Sequence, residues 1–234
     1  MIEIGYIALT LVVAVLLIWA FASGQQKMGT SNSLTNRRTL SVALGISLWL
    51  IYAAILGFSG FLQDFSLPPR VALFLIIPMF VFTGVVLYRN RESKMLEAIP
   101  LSWPIYFQSF RILVELLLWR SWKIGVVPYH VTFEGFNFDV FVGISAVLMG
   151  LAVFQFKWLG QRSLLIWNYL GLFILGTVVA TFMTIVFFPA IWGESSSPMS
   201  PEFGSFPFVY VAGFLMPTAV FVHIFSLLQL RKRV

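Results

Sequence analysis

Three polar side chains interrupt the apolar segment 101–120: Gln108, Arg111 and Glu115. Their spacing of i, i+3 and i+7 places them within about 60° of one another on an α-helix, in one stripe. An Arg near the centre of a membrane helix costs roughly 2.5–3.5 kcal/mol on insertion scales, so this stripe is expected to face other helices. Arg111 and Glu115 are four residues apart, and we expect them to neutralise each other in part.

Two interpretations of the stripe are open. Ionisable side chains inside a membrane mark ligand or ion sites, and in that case Arg111 anchors an anionic group. Alternatively, the stripe is a structural seam that joins helices through hydrogen bonds. The rise of about 1.5 Å per residue places Gln108, Asn168 and His223 at a similar depth, roughly 9–12 Å from the cytoplasmic surface. We therefore expect these three side chains to meet.

A second polar cluster, TFEGFNFD at 132–139, precedes the fifth apolar segment. Asn137 or Asp139 is expected to cap the following helix, where the helix dipole favours a carboxylate. Glu134 is expected at the same depth as Glu115, on the outer side of the membrane. Two carboxylates held close together share a proton or bind a cation. The cluster therefore predicts a proton or cation site near the outer surface.

Metal and cofactor chemistry has little support in the sequence. The chain has no cysteine, so thiolate metal sites and thiol nucleophiles are excluded. His130, Glu134 and Asp139 are the weak candidates for a divalent metal, but no HExxH-like spacing occurs and no metal site is predicted. A glycine-rich phosphate loop and a GxSxG elbow are absent, and no Lys in the last apolar segment could hold retinal. We expect no cofactor.

The elements that must position these residues are membrane helices. Hydrophobic residues make up 59% of the 234 residues, charged residues make up 10%, and the mean hydropathy is +0.93, which excludes a water-soluble fold. The apolar runs are too long for barrel strands and do not alternate. The sequence thus predicts an all-α membrane protein, a single domain over 1–234 with seven helices. The predicted spans lie near 4–22, 40–62, 71–88, 101–120, 138–156, 164–188 and 208–230.

The distribution of basic residues predicts the orientation, with the amino terminus outside and the carboxyl terminus in the cytoplasm. Basic residues are concentrated in the segments that this orientation places inside. These are Lys27, Arg37, Arg38, Arg89, Arg91, Lys94, Lys157, Arg162, Arg231, Lys232 and Arg233. The net charge of +6 is thereby explained by topology, and no nucleic-acid partner is expected.

Three segments, QSFRILVE (108–115), VPYHVTFEGFNFD (127–139) and PTAVFVHIFSLLQL (217–230), resemble an uncharacterised bacterial integral-membrane family with QxxRxxxE, TFEGxNFD and HxxSxxQL motifs. The resemblance implies a location in the bacterial inner membrane, and it implies no activity. Family members often carry an Arg after the glycine of TFEGxNFD. This chain has Phe136 there, so the outer cluster lacks that positive charge.

The function hypothesis is a membrane protein whose buried polar site binds a small polar or protonatable molecule, with transport of that molecule left open. Its candidate site residues are Gln108, Arg111, Glu115, Glu134, Asn137, Asp139, Asn168 and His223. One alternative is a membrane-embedded enzyme acting on a lipid-like substrate through carboxylates and a His. Another is a structural subunit that docks a membrane protein partner. Membrane lipids are partners in every case.

Overall fold

The computed structural model describes residues 2–193 and 198–232, and within these ranges every regular element is a helix. The α-helices are α1 (Ile2–Lys27), α2 (Asn32–Phe58), α3 (Ile77–Arg89), α4 (Met95–Ala98), α5 (Ser102–Phe107), α6 (Phe110–Lys123), α7 (Asp139–Gly150), α8 (Gln161–Phe187) and α9 (Met216–Arg231). Wider π-helical segments precede α3 (Ala72–Ile76), follow α7 (Leu151–Gln155) and precede α9 (Val211–Leu215). Short 3₁₀ turns lie at Phe61–Gln63, Tyr129–Val131, Pro189–Trp192 and Pro201–Gly204. The all-α prediction is confirmed.

In the described part of the chain, five helices are long and apolar enough to cross a bilayer, so the chain is a multi-pass membrane protein. They cover Ile2–Lys27, Asn32–Phe58, Ala72–Arg89, Gln161–Phe187 and Val211–Arg231. The other two predicted spans coincide with helices that do not meet this criterion. Segment 101–120 is divided into α5 and α6, and the apolar helix Asp139–Gln155 is shorter.

The connections of α1, α2, α3, α4 and α9 bring most of the predicted cytoplasmic cations to one end of the bundle. Lys27 ends α1, Arg38 lies in the second turn of α2, Lys94 precedes α4 and Arg231 ends α9. We call this the basic end, and the end that carries the loops 59–71 and 124–138 the opposite end. Arg233 lies outside the described residues.

Two prolines explain the π-helical segments that precede α3 and α9. Pro78 and Pro217 lack the N–H that would close the ordinary helical turn, and the backbone widens just before each of them. The carbonyls four residues earlier receive donors from α2 instead. Trp49 Nε1 donates to the oxygen of Gly213 at 2.8 Å, and the Tyr52 hydroxyl donates to the oxygen of Phe74 at 3.3 Å. Side chains one turn apart on α2 thus satisfy both carbonyls.

Helix α9 occupies the centre of the bundle, with most of its surface buried. It packs against α3, α4, α5 and α8, while α7 packs against α5, α6 and α8, and α1 packs against α2 and α6. The helices α6, α7, α8 and α9 therefore surround one interior region midway along the bundle. The candidate residues on these helices point into this region or border it.

A tight turn at Gln108 and Ser109 separates α5 from α6. The N–H of Arg111 donates to the oxygen of Gln108 at 3.2 Å, and the N–H of Ile112 donates to the oxygen of Ser109 at 3.1 Å. These bonds span three residues, as in a 3₁₀-helix, in which side chains at i and i+3 are eclipsed. The turn therefore aligns Gln108 with Arg111, and both side chains face α9.

Candidate functional site

A buried ion pair lies at the centre of the site. Arg111 is 1% exposed, and its Nε donates to Oδ2 of Asp139 at 2.7 Å while its Nη2 donates to Oδ1 of the same carboxylate. This bidentate geometry matches the planar fork of a guanidinium to a carboxylate. Asp139 of α7 is thus the hydrogen-bonded partner of Arg111, and the expected partial neutralisation by Glu115 takes the form of a Coulombic attraction between the two charges. An Arg that precedes a Glu on the same helix is poorly oriented for pairing, whereas Asp139 approaches from a neighbouring helix.

His223 of α9 extends this pair toward α8. Nη1 of Arg111 lies 2.9 Å from Nε2 of His223, and Nδ1 of His223 lies 2.9 Å from Oδ1 of Asn168. The orientation of the Asn168 amide is fixed, because its Nδ2 donates to the oxygen of Leu164 at 2.8 Å and to Oγ of Ser226 at 3.0 Å. Oδ1 of Asn168 therefore accepts from Nδ1 of His223, and Nε2 accepts from Arg111. The imidazole is neutral and carries its proton on Nδ1.

Glu115 and Asn137 extend the network toward the opposite end. Nδ2 of Asn137 donates to Oε1 of Glu115 at 2.8 Å and to the oxygen of Val131 at 3.0 Å. Oδ1 of Asn137 accepts the backbone N–H of Asp139 at 3.0 Å. The N-cap residue of α7 is Phe138, not Asn137 or Asp139 as predicted; Asn137 accepts the first N–H of the helix from the position before the cap, and Asp139 binds Arg111.

These hydrogen-bonded side chains form a continuous series, which we call the polar chain, across four helices and one loop. In order, its members are Ser226, Asn168, His223, Arg111, Asp139, Asn137 and Glu115. Six are buried to 1% exposure or less and Asp139 to 5%. Buried polar groups need such partners, because an unsatisfied donor or acceptor costs about 1–3 kcal/mol.

The loop between α6 and α7 brings Asn137 under Glu115. Helix α6 ends in a Schellman motif, in which Val126 donates to the oxygen of Ser121 and Gly125, at a φ of 81°, donates to the oxygen of Trp122. The chain then folds back tightly at Gly135. A Cβ there would lie 2.5 Å from the oxygen of Tyr129, so only glycine fits. This requirement accounts for the glycine within TFEGFNFD.

A cavity of about 130 Å³ lies beside the polar chain. Arg111, Glu115 and Asp139 line its deep part, and the partly exposed Asp64 and Arg70 line its other end. Most of the remaining wall is apolar and comes from α6, α8 and the π-helical segments. The volume is close to the roughly 150 Å³ of a cavity that holds a benzene-sized molecule.

Glu115, which lines this cavity, has one unsatisfied carboxylate oxygen. Its Oε1 is bonded to Asn137, but its Oε2 is buried and has no hydrogen-bond partner among the described residues. Glu115 itself is 1% exposed. A buried carboxylate oxygen without a donor is costly, so this atom is where a ligand's donor or a proton is needed.

The end of the cavity at Asp64 and Arg70 carries compensated charges. Arg70 Nη2 lies 2.5 Å from Oδ2 of Asp64, and Nη1 of Arg70 donates to the oxygen of Phe61 at 3.1 Å. The backbone N–H of Ser66 donates to Oδ1 of Asp64 at 2.9 Å, and this bond lowers the pKa of that carboxyl below its ordinary value. Asp64 therefore stays ionised and paired in this loop.

The remaining predicted site residues have other neighbours. Gln108 meets α9 as expected, but its Nε2 donates to the oxygen of Ala219 at 3.0 Å and not to His223.

Glu134 is exposed and accepts from Nε1 of Trp119 at 2.8 Å, so its predicted contact with Glu115 is corrected. This correction follows from Asn137, which takes the place beside Glu115.

The weak metal candidates do not converge. Within residues 2–193 and 198–232, no group of three or more His, Asp or Glu side chains is placed to hold a metal ion. The ring of His130 lies 4.9 Å from that of Trp192 and is stacked on Phe136, whereas Asp139 binds Arg111.

Sequence reasoning missed Gly171, which makes room for His223. A Cβ on Gly171 would lie 2.4 Å from Cε1 and 2.5 Å from Nε2 of His223. Trp167 packs near the same imidazole, with ring centroids 5.3 Å apart. Gly171 lies three residues after Asn168 on α8, so a glycine on the same helix face as a buried polar residue was the available signal.

The three polar positions of HxxSxxQL each bind another helix or segment. His223 and Ser226 belong to the polar chain, and Nε2 of Gln229 donates to the oxygens of Leu96 and Ile99 at 2.7 Å each. The role of Gln229 was also missed. It anchors the end of α9 to the α4 segment.

Comparisons with known protein families, with curated proteins and with solved structures found no match to this chain.

Proposed function

We propose that this protein binds a small molecule that has an apolar body and a cationic, hydrogen-bond-donating group such as an ammonium. The observation that carries the proposal is Glu115, which lines a mostly apolar cavity and has a buried Oε2 without a hydrogen-bond partner in the part of the chain that the structure describes. The apolar body lies along α8 and the π-helical segments. The cationic group donates to Oε2 of Glu115.

The charges around the deep part of the cavity favour a cation over an anion. Arg111 already binds Asp139 through two nitrogens and His223 through the third, so an external anion would have to displace Asp139. The earlier hypothesis that Arg111 anchors an anion is therefore not retained. Glu115 is the second carboxylate beside a single guanidinium, and a cationic ligand balances it. Without such a ligand, a proton fills the same role.

The topology and location belong to the same proposal. We place seven spans across a bacterial inner membrane, with α5 and α6 together forming the fourth and Asp139–Gln155 the fifth. The polar chain supports this, because α6 and α7 enclose it together with α8 and α9. The cations at the basic end favour a cytoplasmic location for that end. The cavity then extends toward the outer side, and exchange of the cation for a proton at Glu115 would allow transport.

The Glu115→Gln variant tests the binding proposal with hexylammonium as the probe. The amide keeps the shape of Glu115 but loses its charge, so a charge-assisted hydrogen bond is lost. We expect binding to weaken by about 1.5–3 kcal/mol, or roughly 10- to 150-fold, in isothermal titration of the purified protein in detergent.

The matched control is Glu97→Gln, at an exposed position of α4, which we expect to leave hexylammonium affinity unchanged. Hexanol has the same apolar body without the charge and should bind more weakly than hexylammonium. Equal affinities of the wild-type protein and the Glu115→Gln variant for hexylammonium would overturn the proposal.

A further inference from the structure

A second, larger cavity of about 630 Å³ lies near the basic end. The two cavities share no lining residue, and no residue of the polar chain borders the larger one. Its walls come mainly from α1, α2, α3 and α9, and they are largely apolar. The proposed ligand site at Glu115 does not account for it.

The packing of the helices explains where this space arises. Helix α1 packs on α2, and α3 packs on α9, so two helix pairs face each other across the cavity. The wall extends from Leu17 to Gln25 along α1 and from Met79 to Asn90 along α3. At about 1.5 Å per residue, these stretches are about 12 Å and about 16 Å long. The space is an elongated slot that runs along the bundle axis.

The slot changes from apolar to polar toward the basic end. Trp49, Phe214 and Phe221 line its interior, whereas Gln25, Asn90 and Ser93 line it near the ends of their helices. This gradient matches a molecule with a long apolar tail and a polar head at the membrane surface. A uniformly apolar ligand would leave the polar rim without a function.

Exposed cations flank the polar rim. Nη1 of Arg38 donates to Oε1 of Gln25 at 3.0 Å, which holds the guanidinium at the rim. Lys94 is exposed and lies in sequence between Ser93 and Met95, which both line the slot. Basic residues beside a pocket between membrane helices attract anionic lipid headgroups.

From this juxtaposition we propose that the slot holds one acyl chain of an anionic phospholipid, with its phosphate at Arg38 and Lys94. The acyl chain fills the space between the α1–α2 pair and the α3–α9 pair. The bound lipid therefore adds to the contact between the two pairs of helices, which Trp49 of α2 already makes directly with Gly213 ahead of α9. This inference is independent of the cation site at Glu115.

Two glycines provide a matched test of the slot. Gly45 of α2 lines the slot, and a Cβ there meets no atom within 4 Å, so the side chain of Gly45→Phe begins in open space and occupies part of the slot. Gly84 of α3 also has open space around it, but it does not line the slot, so Gly84→Phe is the control. Delipidated protein is titrated with phosphatidylglycerol or phosphatidylcholine, and the bound lipid is counted by native mass spectrometry.

We expect Gly45→Phe to lose phosphatidylglycerol while Gly84→Phe binds it like the wild-type protein. Replacing both Arg38 and Lys94 by Gln should weaken phosphatidylglycerol binding by roughly 30-fold, at about fivefold per cation, with little change for phosphatidylcholine. Arg120→Gln, at the opposite end, should have no effect. Retention of phosphatidylglycerol by Gly45→Phe, or equal binding of the two lipids by the wild-type protein, would overturn the proposal.

Discussion

Replacing Arg111 by Met is expected to destabilise the protein by about 3–5 kcal/mol, since it leaves the Asp139 carboxylate buried without its partner. The same change also removes the donor to Nε2 of His223, so the loss is not confined to one contact. Replacing Asp139 by Leu should cost a similar amount, because the guanidinium is then the unpaired charge. This would be the largest effect of any single substitution in the site.

The double variant Arg111→Met with Asp139→Leu tests whether the destabilisation comes from an unpaired buried charge or from disturbed packing. It removes both charges and fills the space with apolar groups, which often restores stability or exceeds it. We expect its free energy of unfolding, measured in mixed micelles, to recover at least half of the single-variant loss. The control Arg120→Met changes an exposed Arg of the same helix and should stay within about 0.5 kcal/mol of the wild type. If Arg111→Met behaved like this control, the ion pair would not stabilise the fold.

Replacing Gly171 by Ala is expected to destabilise the protein by about 1–3 kcal/mol through overpacking against His223. The imidazole has no room to retreat, because Asn168, Arg111 and Trp167 hold it from other sides. Gly176→Ala is the matched control on the same helix, since a Cβ there meets no atom within 4 Å. It should stabilise α8 by up to about 1 kcal/mol, because Ala favours helix more than Gly does.

The effect of Gly171→Ala on the polar chain can be read directly from the His223 ring. The chain has two histidines, so ¹⁵N labelling of His and the His130→Ala variant assign both. The wild-type spectrum should show the neutral ring protonated on Nδ1, and Gly171→Ala should alter that signature while Gly176→Ala preserves it. An unchanged His223 signal in Gly171→Ala would mean that the close approach of α8 to this ring does not determine its geometry.

The helical class could be predicted from the sequence because long apolar runs in a bilayer have few solutions. The widened segments before Pro78 and Pro217 have a cause that is visible in the sequence, since proline removes a backbone donor. The hydrogen bonds that Trp49 and Tyr52 donate to the freed carbonyls could not be predicted, because they depend on how α2 packs. The turn at Gln108 and Ser109 also has no sequence signal, as neither residue is Gly or Pro.

For the site, the inward stripe and the meeting of Asn168 with His223 followed from helix geometry. The partner of Arg111 did not follow, since the choice between Glu115 and Asp139 depends on the position of the α6–α7 loop. That loop is set by backbone bonds and by Gly135, and it also places Asn137 where Glu134 was expected. Long-range placement of this kind is not encoded in residue spacing.

The most direct test of the central claim is the reactivity of Glu115 toward diisopropylcarbodiimide, a small apolar reagent that modifies protonated carboxyl groups. Peptide mass spectrometry of the treated protein should find Glu115 modified and Asp139, both of whose oxygens are bonded to Arg111, unmodified. Hexylammonium should protect Glu115. Modification of Asp139 in place of Glu115, or labelling of Glu115 that hexylammonium does not reduce, would contradict a free carboxyl at a ligand-accessible cavity.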